Sequence, residues 1–478
     1  MVLRQARARV LRETGGHYPA PRVALDTIAA SRGRPIEQAL DLEARALGRL
    51  IVTPVARNLI RVFNLLEDAK KTGPRDVEPR PLEKVAVLGA GVMGGGIAQL
   101  LAQRGLRVRL KDIDAAAIGR GLQHAQRLFD RSVRRKHMDR RAADRAMGRI
   151  SVTLDYTGFR EVGLAIEAVV ERMDVKQAVL RETEARLVAG AVLASNTSSL
   201  SITGMQAVLE RPADFCGMHF FNPVHRMPLI EIVRGRLTGD RAVATVVALA
   251  RRLDKTPVIV NDGPGFLVNR ILAPCLNEAG WLLGEGVSIQ AIDRALLEFG
   301  LPMGPLRLID EIGFDVAVHA GTTLQAAFGE RMLVPPALAA LPGTRLAGRK
   351  GGRGFYRYVG DREAGVNEEI RVALSPVPRE GRSLEAGVIR DRSLLAMVNE
   401  AARVLEDGVA SSAGDIDLAM ITGTGFPPFR GGLLRWADTI GIGVVLQRLE
   451  RLAASGGARF QPAPLIRRFA ADSRAFFD

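Results

Sequence analysis

Residues 84–103, KVAVLGAGVMGGGIAQLLAQ, indicate how the first half of this 478-residue chain folds. The stretch begins with an apolar run, continues through five glycines and ends in residues that favour a helix. It approaches the length of a membrane-spanning helix, but glycine at this density is poor helix-forming material. We therefore interpret the stretch as a buried strand, a tight turn and the start of a helix.

The glycines of this turn form the pattern G-x-G-x-x-G, with Gly89, Gly91 and Gly94 at its fixed positions. In a strand–turn–helix context, the first allows the turn, the second lets a pyrophosphate approach backbone N–H groups, and the third lets helix and strand pack closely. A second strand-like run, RVRLKDID (107–114), follows and carries Asp112. A carboxylate there suits the ribose hydroxyls of a dinucleotide and repels a 2′-phosphate, so the pattern favours NAD over NADP. The alternative is a glycine-rich turn in an unrelated α/β protein.

Further strand-like runs at 164–170, 191–195 and 217–221 are separated by helical stretches. Strands that alternate with helices predict a parallel sheet covered on both faces. Together with the glycine pattern, this predicts an α/β fold with a Rossmann-like doubly wound sheet. After about residue 265 the pattern changes to amphipathic helices with few strand signals.

The helical half contains an internal repeat. Residues 276–296 (LNEAGWLLGEGVSIQAIDRAL) resemble residues 398–420 (VNEAARVLEDGVASSAGDIDLAM). A Gly/Pro-rich segment follows each copy, and then an aspartate and a glycine three residues apart: Asp310 and Gly313 in the first, Asp438 and Gly441 in the second. Two copies of one helical unit can bury their apolar faces against each other, so we expect two repeated all-α domains after the sheet.

These patterns divide the chain into five predicted parts. They are an N-terminal helical segment and linker (1–80), a Rossmann-like domain (81–265), a first helical domain (266–360), a connector (361–392) and a second helical domain (393–478).

Composition narrows the class of function. Basic residues number 67 against 52 acidic ones, but only eight are lysines and aromatic residues are just 5%. This indicates chain-wide use of arginine rather than a nucleic-acid surface, which combines a basic groove with aromatic side chains on which bases stack. The two cysteines give no disulfide framework and no zinc-site spacing, so we expect no bound metal and a cytoplasmic protein. We also expect no membrane segment. The Arg-rich start MVLRQARARVLR resembles a transit peptide, although a solvated helix face is favoured.

Three clusters of polar residues carry the chemistry: SNTSSL (195–200), HFFNPVHRMPLIEIV (219–233) and NDGPGFLVNR (261–270). With these clusters in this order, the chain resembles the L-3-hydroxyacyl-CoA dehydrogenase family, and within it the dehydrogenase portion of multifunctional alpha subunits of bacterial fatty-acid oxidation complexes. The resemblance implies oxidation of L-3-hydroxyacyl-CoA to 3-ketoacyl-CoA with NAD in β-oxidation. It also implies an acyl-CoA substrate and a thiolase-type beta subunit as partner.

The same resemblance implies roles for individual residues. His219 takes the position of the general base, and Glu231 that of the residue which orients it. The other implied positions are hydrogen-bonding residues at the catalytic and substrate site, Ser198, Asn222 and Asn269, and a pair beside the cofactor and substrate, Glu171 and Lys176.

Physical chemistry supports the histidine–glutamate assignment. Oxidation of a secondary alcohol needs a base for the hydroxyl proton, and imidazole suits this near neutral pH. Twelve residues are too many for one helix face, but two neighbouring strands joined by a loop can bring His219 and Glu231 together. Other readings remain for each residue. They are His225 as the base, Glu231 at a solvent-facing edge, the NTSS segment as a helix N-cap, Asn269 as a helix-start hydrogen bonder and Glu171–Lys176 as a surface pair.

Alpha subunits of this family begin with a hydratase domain of the crotonase fold. Residues 1–70 resemble only the tail of that domain, so hydratase activity is not expected. Single-repeat relatives dimerise through the helical domain, and the resemblance implies that the second repeat replaces the partner subunit. The alternative function is a catalytically silent fragment that binds NAD or acyl-CoA, or docks a thiolase. The basic stretch 120–149 is expected to be a solvated helical face, with docking of the anionic CoA as the other reading.

Overall fold

The computed structural model describes residues 2–360, 362–374 and 381–477. The chain divides into two compact units. One contains residues up to 65, residues 270–406 and residues from 416 onward, and the other contains residues 66–269 and 407–415. Parts of the predicted connector, residues 361 and 375–380, lie outside the described residues.

The N-terminal segment is helical, as the apolar periodicity indicates. Its four helices are α1 (Val2–Thr14), α2 (Pro19–Ser31), α3 (Ile36–Ile51) and α4 (Pro54–Ala69). In α4, the Asn58 amide donates to the carbonyl of Phe429 (3.0 Å) and a guanidinium nitrogen of Arg61 lies 3.2 Å from Asp417. Helix α4 therefore packs against residues of the second helical repeat.

The sheet has eight strands in the order β3-β2-β1-β4-β5-β6-β7-β8. The strands are β1 (Lys84–Leu88), β2 (Arg107–Lys111), β3 (Ile150–Thr153), β4 (Leu164–Glu167), β5 (Val192–Ser195), β6 (Phe215–Phe220), β7 (Leu229–Arg234) and β8 (Thr256–Asn261). Every residue of β4, β5 and β6 is buried, as expected for strands covered on both faces. This confirms the predicted Rossmann-like architecture.

The sheet is parallel, as predicted, except where β6 meets β7. Strands β1 to β6 are parallel, but β7 runs antiparallel to β6, and β8 is parallel to β7. Only residues 221–228 join β6 to β7, which is too short for the helical crossover that a parallel pair requires.

Helices cover the sheet. They are α5 (Val92–Gln103), α6 (Ala115–Arg134), α7 (Arg140–Met147), α8 (Met173–Glu184), α9 (Ile202–Gln206) and α10 (Asp240–Arg252). Helix α5 is buried continuously from Gly94 to Ala102, so strand β1 and most of α5 lie in the core, while Gly91 and Val92 at the turn between them are exposed.

The first part of the helical half contains α11 (Val268–Gly284), α12 (Ile289–Phe299), α13 (Pro305–Ile312), α14 (Phe314–Phe328), α15 (Pro336–Ala339), β9 (Tyr356–Val359), β10 (Arg362–Val366) and α16 (Glu369–Ala373). The second part contains α17 (Ala386–Glu406), α18 (Ala413–Thr424), α19 (Leu433–Ile440), α20 (Ile442–Gly456) and α21 (Pro464–Ala471). The β9–β10 hairpin was not predicted, and the predicted boundary at residue 360 falls within it. Among the described residues, no helix combines the length and apolar character needed to cross a bilayer.

The repeat is visible in the hydrogen bonds. Asp293 accepts from the backbone N–H groups of Leu306 (2.9 Å) and Arg307 (3.1 Å) at the start of α13. Asp417 accepts from those of Leu434 (2.7 Å) and Arg435 (3.2 Å) at the start of α19. The glycines between the next helices have the same left-handed backbone, with φ of 95° at Gly313 and 94° at Gly441. The two copies therefore share local structure as well as sequence.

Candidate active site

Most of the predicted site residues lie where strands end. Strands β1, β4, β5 and β6 run parallel, so their carboxyl ends share one edge of the sheet. The Gly89 turn follows β1, Glu171 lies four residues after β4, Ser198 lies three residues after β5, and His219 is the penultimate residue of β6. Ligands of doubly wound sheets bind outside this edge, where the strand order reverses. That reversal falls between β1 and β4.

His219 and Glu231 are directly opposite each other in the antiparallel β6–β7 pair. Nδ1 of the imidazole lies 2.6 Å from Oε2 of the carboxylate. Glu231 is fully buried and His219 is 5% exposed. A buried carboxylate is costly unless its oxygens are bonded, and Oε1 accepts from the backbone N–H groups of Leu267 (3.2 Å) and Val268 (2.9 Å). Because Nδ1 is hydrogen-bonded to Glu231, Nε2 is the ring nitrogen that can accept a proton from another group.

His225, the competing candidate, has different surroundings. Burial, followed by the positive charges of Arg226 and Arg131, lowers the pKa of His225 to about 4. Within the described part of the chain, its buried Nε2 has no hydrogen-bond partner. A histidine with so low a pKa is a weak base near neutral pH, which counts against His225. His219, in contrast, has the carboxylate partner that can orient a general base.

The NTSS segment is bound by Glu171, which lies between β4 and α8. Its Oε1 accepts from the hydroxyl of Thr197 (2.5 Å) and from the backbone N–H (2.9 Å) and hydroxyl (3.3 Å) of Ser198. The amide of Asn269 donates to the carbonyl of Ser198 (3.0 Å). Burial alone would raise the pKa of Glu171, but Lys176 and these hydrogen bonds lower it below its ordinary value. The structure thus brings together Glu171, Ser198 and Asn269.

Lys176 joins this group from α8. Its ammonium lies 3.3 Å from Glu171, but it is closer to Glu167, at 2.8 and 3.0 Å from the two carboxylate oxygens. The predicted Glu171–Lys176 pair is therefore part of a trio. Sequence reasoning missed Glu167, although a carboxylate within the apolar run LAIEAVV (164–170) was a usable signal.

Sequence reasoning also missed two polar residues, Asn196 and Asp262, which form hydrogen bonds near the predicted site residues. Asn196 accepts at Oδ1 from the backbone N–H of Phe220 (2.9 Å), so it joins the end of β5 to the strand that carries His219. Asp262 accepts from the hydroxyl of Ser201 (2.7 Å) and the N–H of Thr203 (2.8 Å). Both residues belong to the polar clusters that the sequence analysis identified. Asn222, by contrast, is exposed in the β6–β7 loop, just before a cis peptide bond to Pro223.

The glycine turn fits a dinucleotide. Gly89 has a φ of 98°, and a Cβ there would lie 2.5 Å from the carbonyl of Ala168. A Cβ on Gly94 would lie 1.8 Å from the carbonyl of Gly89, so both glycines are needed for the turn itself. A Cβ on Gly91 would meet nothing within 4 Å. Gly91 therefore borders open space at the N-terminus of α5, where backbone N–H groups can bind a phosphate.

Asp112 stands beside this turn. One carboxylate oxygen accepts from the N–H of Ala90 and the other from that of Ile113, each at 2.7 Å. Each oxygen keeps acceptor capacity for a ribose hydroxyl. The residues present therefore suit NAD.

The doubly wound sheet, the open glycine turn after β1 and the buried imidazole–carboxylate pair near the carboxyl end of β6, at the same edge of the sheet, are the features of a dinucleotide-dependent dehydrogenase. Comparison with known families agrees. Residues 84–263 match the family model for the NAD-binding domain of 3-hydroxyacyl-CoA dehydrogenase, and residues 265–358 and 387–475 match that for its C-terminal domain. The chain belongs to the 3-hydroxyacyl-CoA dehydrogenase family and is an NAD-dependent oxidoreductase.

Individual proteins that are similar to this chain agree with the family assignment. The fatty acid oxidation complex subunit alpha of Shewanella amazonensis is 39% identical over 477 residues, which cover 99% of this chain and 67% of the relative. The 3-hydroxybutyryl-CoA dehydrogenase of Escherichia coli K12 superposes with a TM-score of 0.72 at 28% identity, covering 82% of this chain and 99% of that one. The dehydrogenase part of multifunctional enzyme 1 from C. elegans gives a TM-score of 0.62 at 25% identity, covering 86% and 98%.

Proposed function

We propose that the chain oxidises the 3-hydroxyl group of an L-3-hydroxyacyl-CoA to the ketone, with His219 as general base and Glu231 as the residue that orients it. The observation that carries the proposal is the 2.6 Å contact between His219 Nδ1 and the buried carboxylate of Glu231. This contact fixes the ring so that Nε2 is the basic nitrogen, and it stabilises the imidazolium that forms when a proton arrives.

The rest of the carboxylate environment supports this role. The second oxygen of Glu231 accepts hydrogen bonds from two backbone N–H groups. These bonds hold the carboxylate in one orientation while the imidazole changes charge. The His219 ring packs 4.3 Å from the ring of Phe221 and 5.9 Å from that of Phe266. These contacts restrict the ring further and exclude water from its faces.

Ser198, Asn269 and Asn222 are proposed to bind the substrate oxygens. Glu171 and Asn269 hold Ser198 from two sides, through its N–H and its carbonyl, so the hydroxyl is presented by a restrained backbone. The Ser198 hydroxyl donates to Glu171 at 3.3 Å in the free protein, and on this restrained backbone it can rotate to donate to the carbinol oxygen and stabilise charge there. NAD, when bound, accepts the hydride that leaves the carbinol carbon.

We further propose that the chain acts in a complex with a thiolase-type beta subunit. The support is the printed name of its relatives, fatty acid oxidation complex subunit alpha, at 37–39% identity over nearly the whole chain. A thiolase would cleave the 3-ketoacyl product, so such a partner fits the proposed chemistry.

The proposed activity is tested by mixing the purified chain with acetoacetyl-CoA and NADH and following the loss of reduced-nicotinamide absorbance. We expect turnover, and in the reverse direction formation of NADH from L-3-hydroxybutyryl-CoA but not from its D isomer. Binding of NADH and acetoacetyl-CoA without turnover would contradict the proposal and favour a silent binding protein.

A further inference from the structure

Glu167 is a fully buried carboxylate to which the proposed mechanism gives no role. It ends the central strand β4 and lies opposite Ser195 in the β4–β5 pair. Its oxygens accept from the backbone N–H of Val169 (2.6 Å), the hydroxyl of Ser195 (2.5 Å) and the ammonium of Lys176 (2.8 and 3.0 Å). The Val169 N–H and the Lys176 ammonium can only donate, and the ammonium contacts both oxygens, so the ionised carboxylate suits these surroundings.

Lys176 is equally enclosed. Its side chain has no exposed surface, and its three N–H groups face Glu167, the carbonyl of Asn196 (3.2 Å) and Glu171 (3.3 Å). An ammonium ion at such depth needs compensation by negative charge. Glu167 supplies most of it because it is nearer and contacts the ammonium through both oxygens.

The remaining carboxylate, Glu171, has a different position. Its side chain is 30% exposed and it holds Thr197 and Ser198. Because Glu167 takes up the charge of Lys176, Glu171 is not drawn fully onto the ammonium and keeps an oxygen for the Ser198 segment. Glu167 also accepts, at its backbone carbonyl, from the N–H of Asn196 (2.7 Å).

We propose that Glu167 is a positioning residue for the dehydrogenase reaction, acting through Lys176 and Glu171 to place Ser198. This inference rests on the proposed function, since it concerns the site in which Ser198 meets the substrate. Glu167, the buried carboxylate of the trio, acts on Ser198 only through its neighbours, whereas Glu171 contacts Ser198 itself.

The test is a double-mutant cycle between Glu167→Gln and Ser198→Ala. Glutamine carries no charge, so in Glu167→Gln the ammonium of Lys176 loses its nearer counter-charge, turns towards Glu171 and draws that carboxylate away from Ser198. We expect Glu167→Gln to lower kcat roughly 10- to 100-fold, the loss that a displacement of about 1 Å causes. The KM values for NAD and acyl-CoA change little. In the Ser198→Ala background, Glu167→Gln should lower kcat by no more than about threefold. The effects of substituting residues that act as a unit do not add.

Glu184→Gln is the matched control. Glu184 is a buried carboxylate of α8 that accepts from the backbone N–H groups of Glu210 (2.8 Å) and Arg211 (2.7 Å), outside the trio. The Glu184→Gln substitution should lower thermal stability and leave kcat within about twofold of the wild-type value. If Glu167→Gln does not fold, Ser195→Ala replaces it in the cycle, because this change removes one hydrogen bond from Glu167 and keeps the ion pair.

The outcomes separate this inference from the proposed function. Absence of turnover in the wild-type chain contradicts the proposed function. An active wild type with an unchanged kcat in a folded Glu167→Gln variant overturns only the role of Glu167. A loss of equal size in the wild-type and Ser198→Ala backgrounds also overturns it, because the carboxylate would then act independently of Ser198.

Discussion

Arg270 and Glu400 are 130 residues apart and form a buried ion pair, with Nε 2.7 Å from Oε1. Arg392 and Glu278 form the equivalent pair, with Nε 3.0 Å from Oε2. Arg392 lies 122 residues after Arg270, and Glu400 lies 122 residues after Glu278, which is the offset between the repeats. A second arginine joins each glutamate at equivalent positions, Arg331 at Glu400 and Arg459 at Glu278. Such reciprocal exchange is the signature of a two-fold interface, here formed within one chain.

This reciprocity predicts losses of stability at both glutamates. Glu278→Gln and Glu400→Gln should each lower the free energy of unfolding, by up to about 3–5 kcal/mol, because each removes a buried carboxylate shared by two guanidinium groups. The loss at Glu278 should be the smaller of the two, because Arg392 keeps an ion pair with Glu285. Urea unfolding followed by circular dichroism measures this. Asp26→Asn, which removes an exposed partner of Arg7, is the control and should change little. A large loss at one glutamate and none at the other would contradict a symmetric interface.

The Glu231 carboxylate should be needed for catalysis more than for folding. In Glu231→Gln the amide oxygen can still accept from Leu267 and Val268, while the amide nitrogen donates to His219 Nδ1. The proton of the neutral ring then sits on Nε2, which is no longer a base. We expect kcat to fall by about 10²–10⁴, with NAD affinity, measured by titration of protein fluorescence, unchanged. Wild-type kcat in this variant would show that the tautomer is irrelevant.

Two glycines of the same turn should respond differently to alanine. Gly91→Ala adds a methyl group that meets no protein atom within 4 Å, so stability should be retained while the pyrophosphate is kept away and NAD binding weakens. Gly94→Ala places its methyl group 1.8 Å from the carbonyl of Gly89 and should lower thermal stability. Calorimetric NAD titration and thermal unfolding separate the effects. NAD binding as tight in Gly91→Ala as in the wild type would count against this turn as the cofactor site.

Asp417 should make stability depend on pH. Burial raises its pKa from the ordinary 3.8 to about 7, despite the attraction of Arg61. Between these values the folded state binds more protons than the unfolded state, so the contribution of Asp417 is greatest at low pH and is lost as pH rises through about 7. The free energy of unfolding of the wild type, relative to Asp417→Asn, should therefore fall between about pH 4 and pH 7 and level off above. A difference that is constant with pH would contradict this.

Sequence reasoning reached the chemistry because its signals were local. The Gly89–Gly94 spacing predicted the strand, turn and helix. The family resemblance implied the pairing of His219 with Glu231, and two apolar runs joined by a short loop made that pairing geometrically possible. The roles of these residues stay proposals, but their juxtaposition is present in the structure.

The parts that sequence reasoning missed depend on distant contacts. Strand β4 ends at Glu167 rather than at residue 170, and the carboxylate of this last residue contacts Lys176 and Ser195, which lie 9 and 28 residues further along the chain. The β9–β10 hairpin is held by Asp310, which accepts from the N–H of Tyr356 (2.9 Å) and the hydroxyl of Tyr358 (2.7 Å). No periodicity within 356–366 encodes a partner so far away in the chain.

The central claim is that His219 is the base. The most direct measurement is kcat for NADH formation from L-3-hydroxybutyryl-CoA by His219→Gln, with the NAD dissociation constant determined on the same preparation. We predict a fall of about 10²–10⁴ in kcat with NAD binding unchanged. A folded, NAD-binding His219→Gln variant that turns over at the wild-type rate would contradict the account.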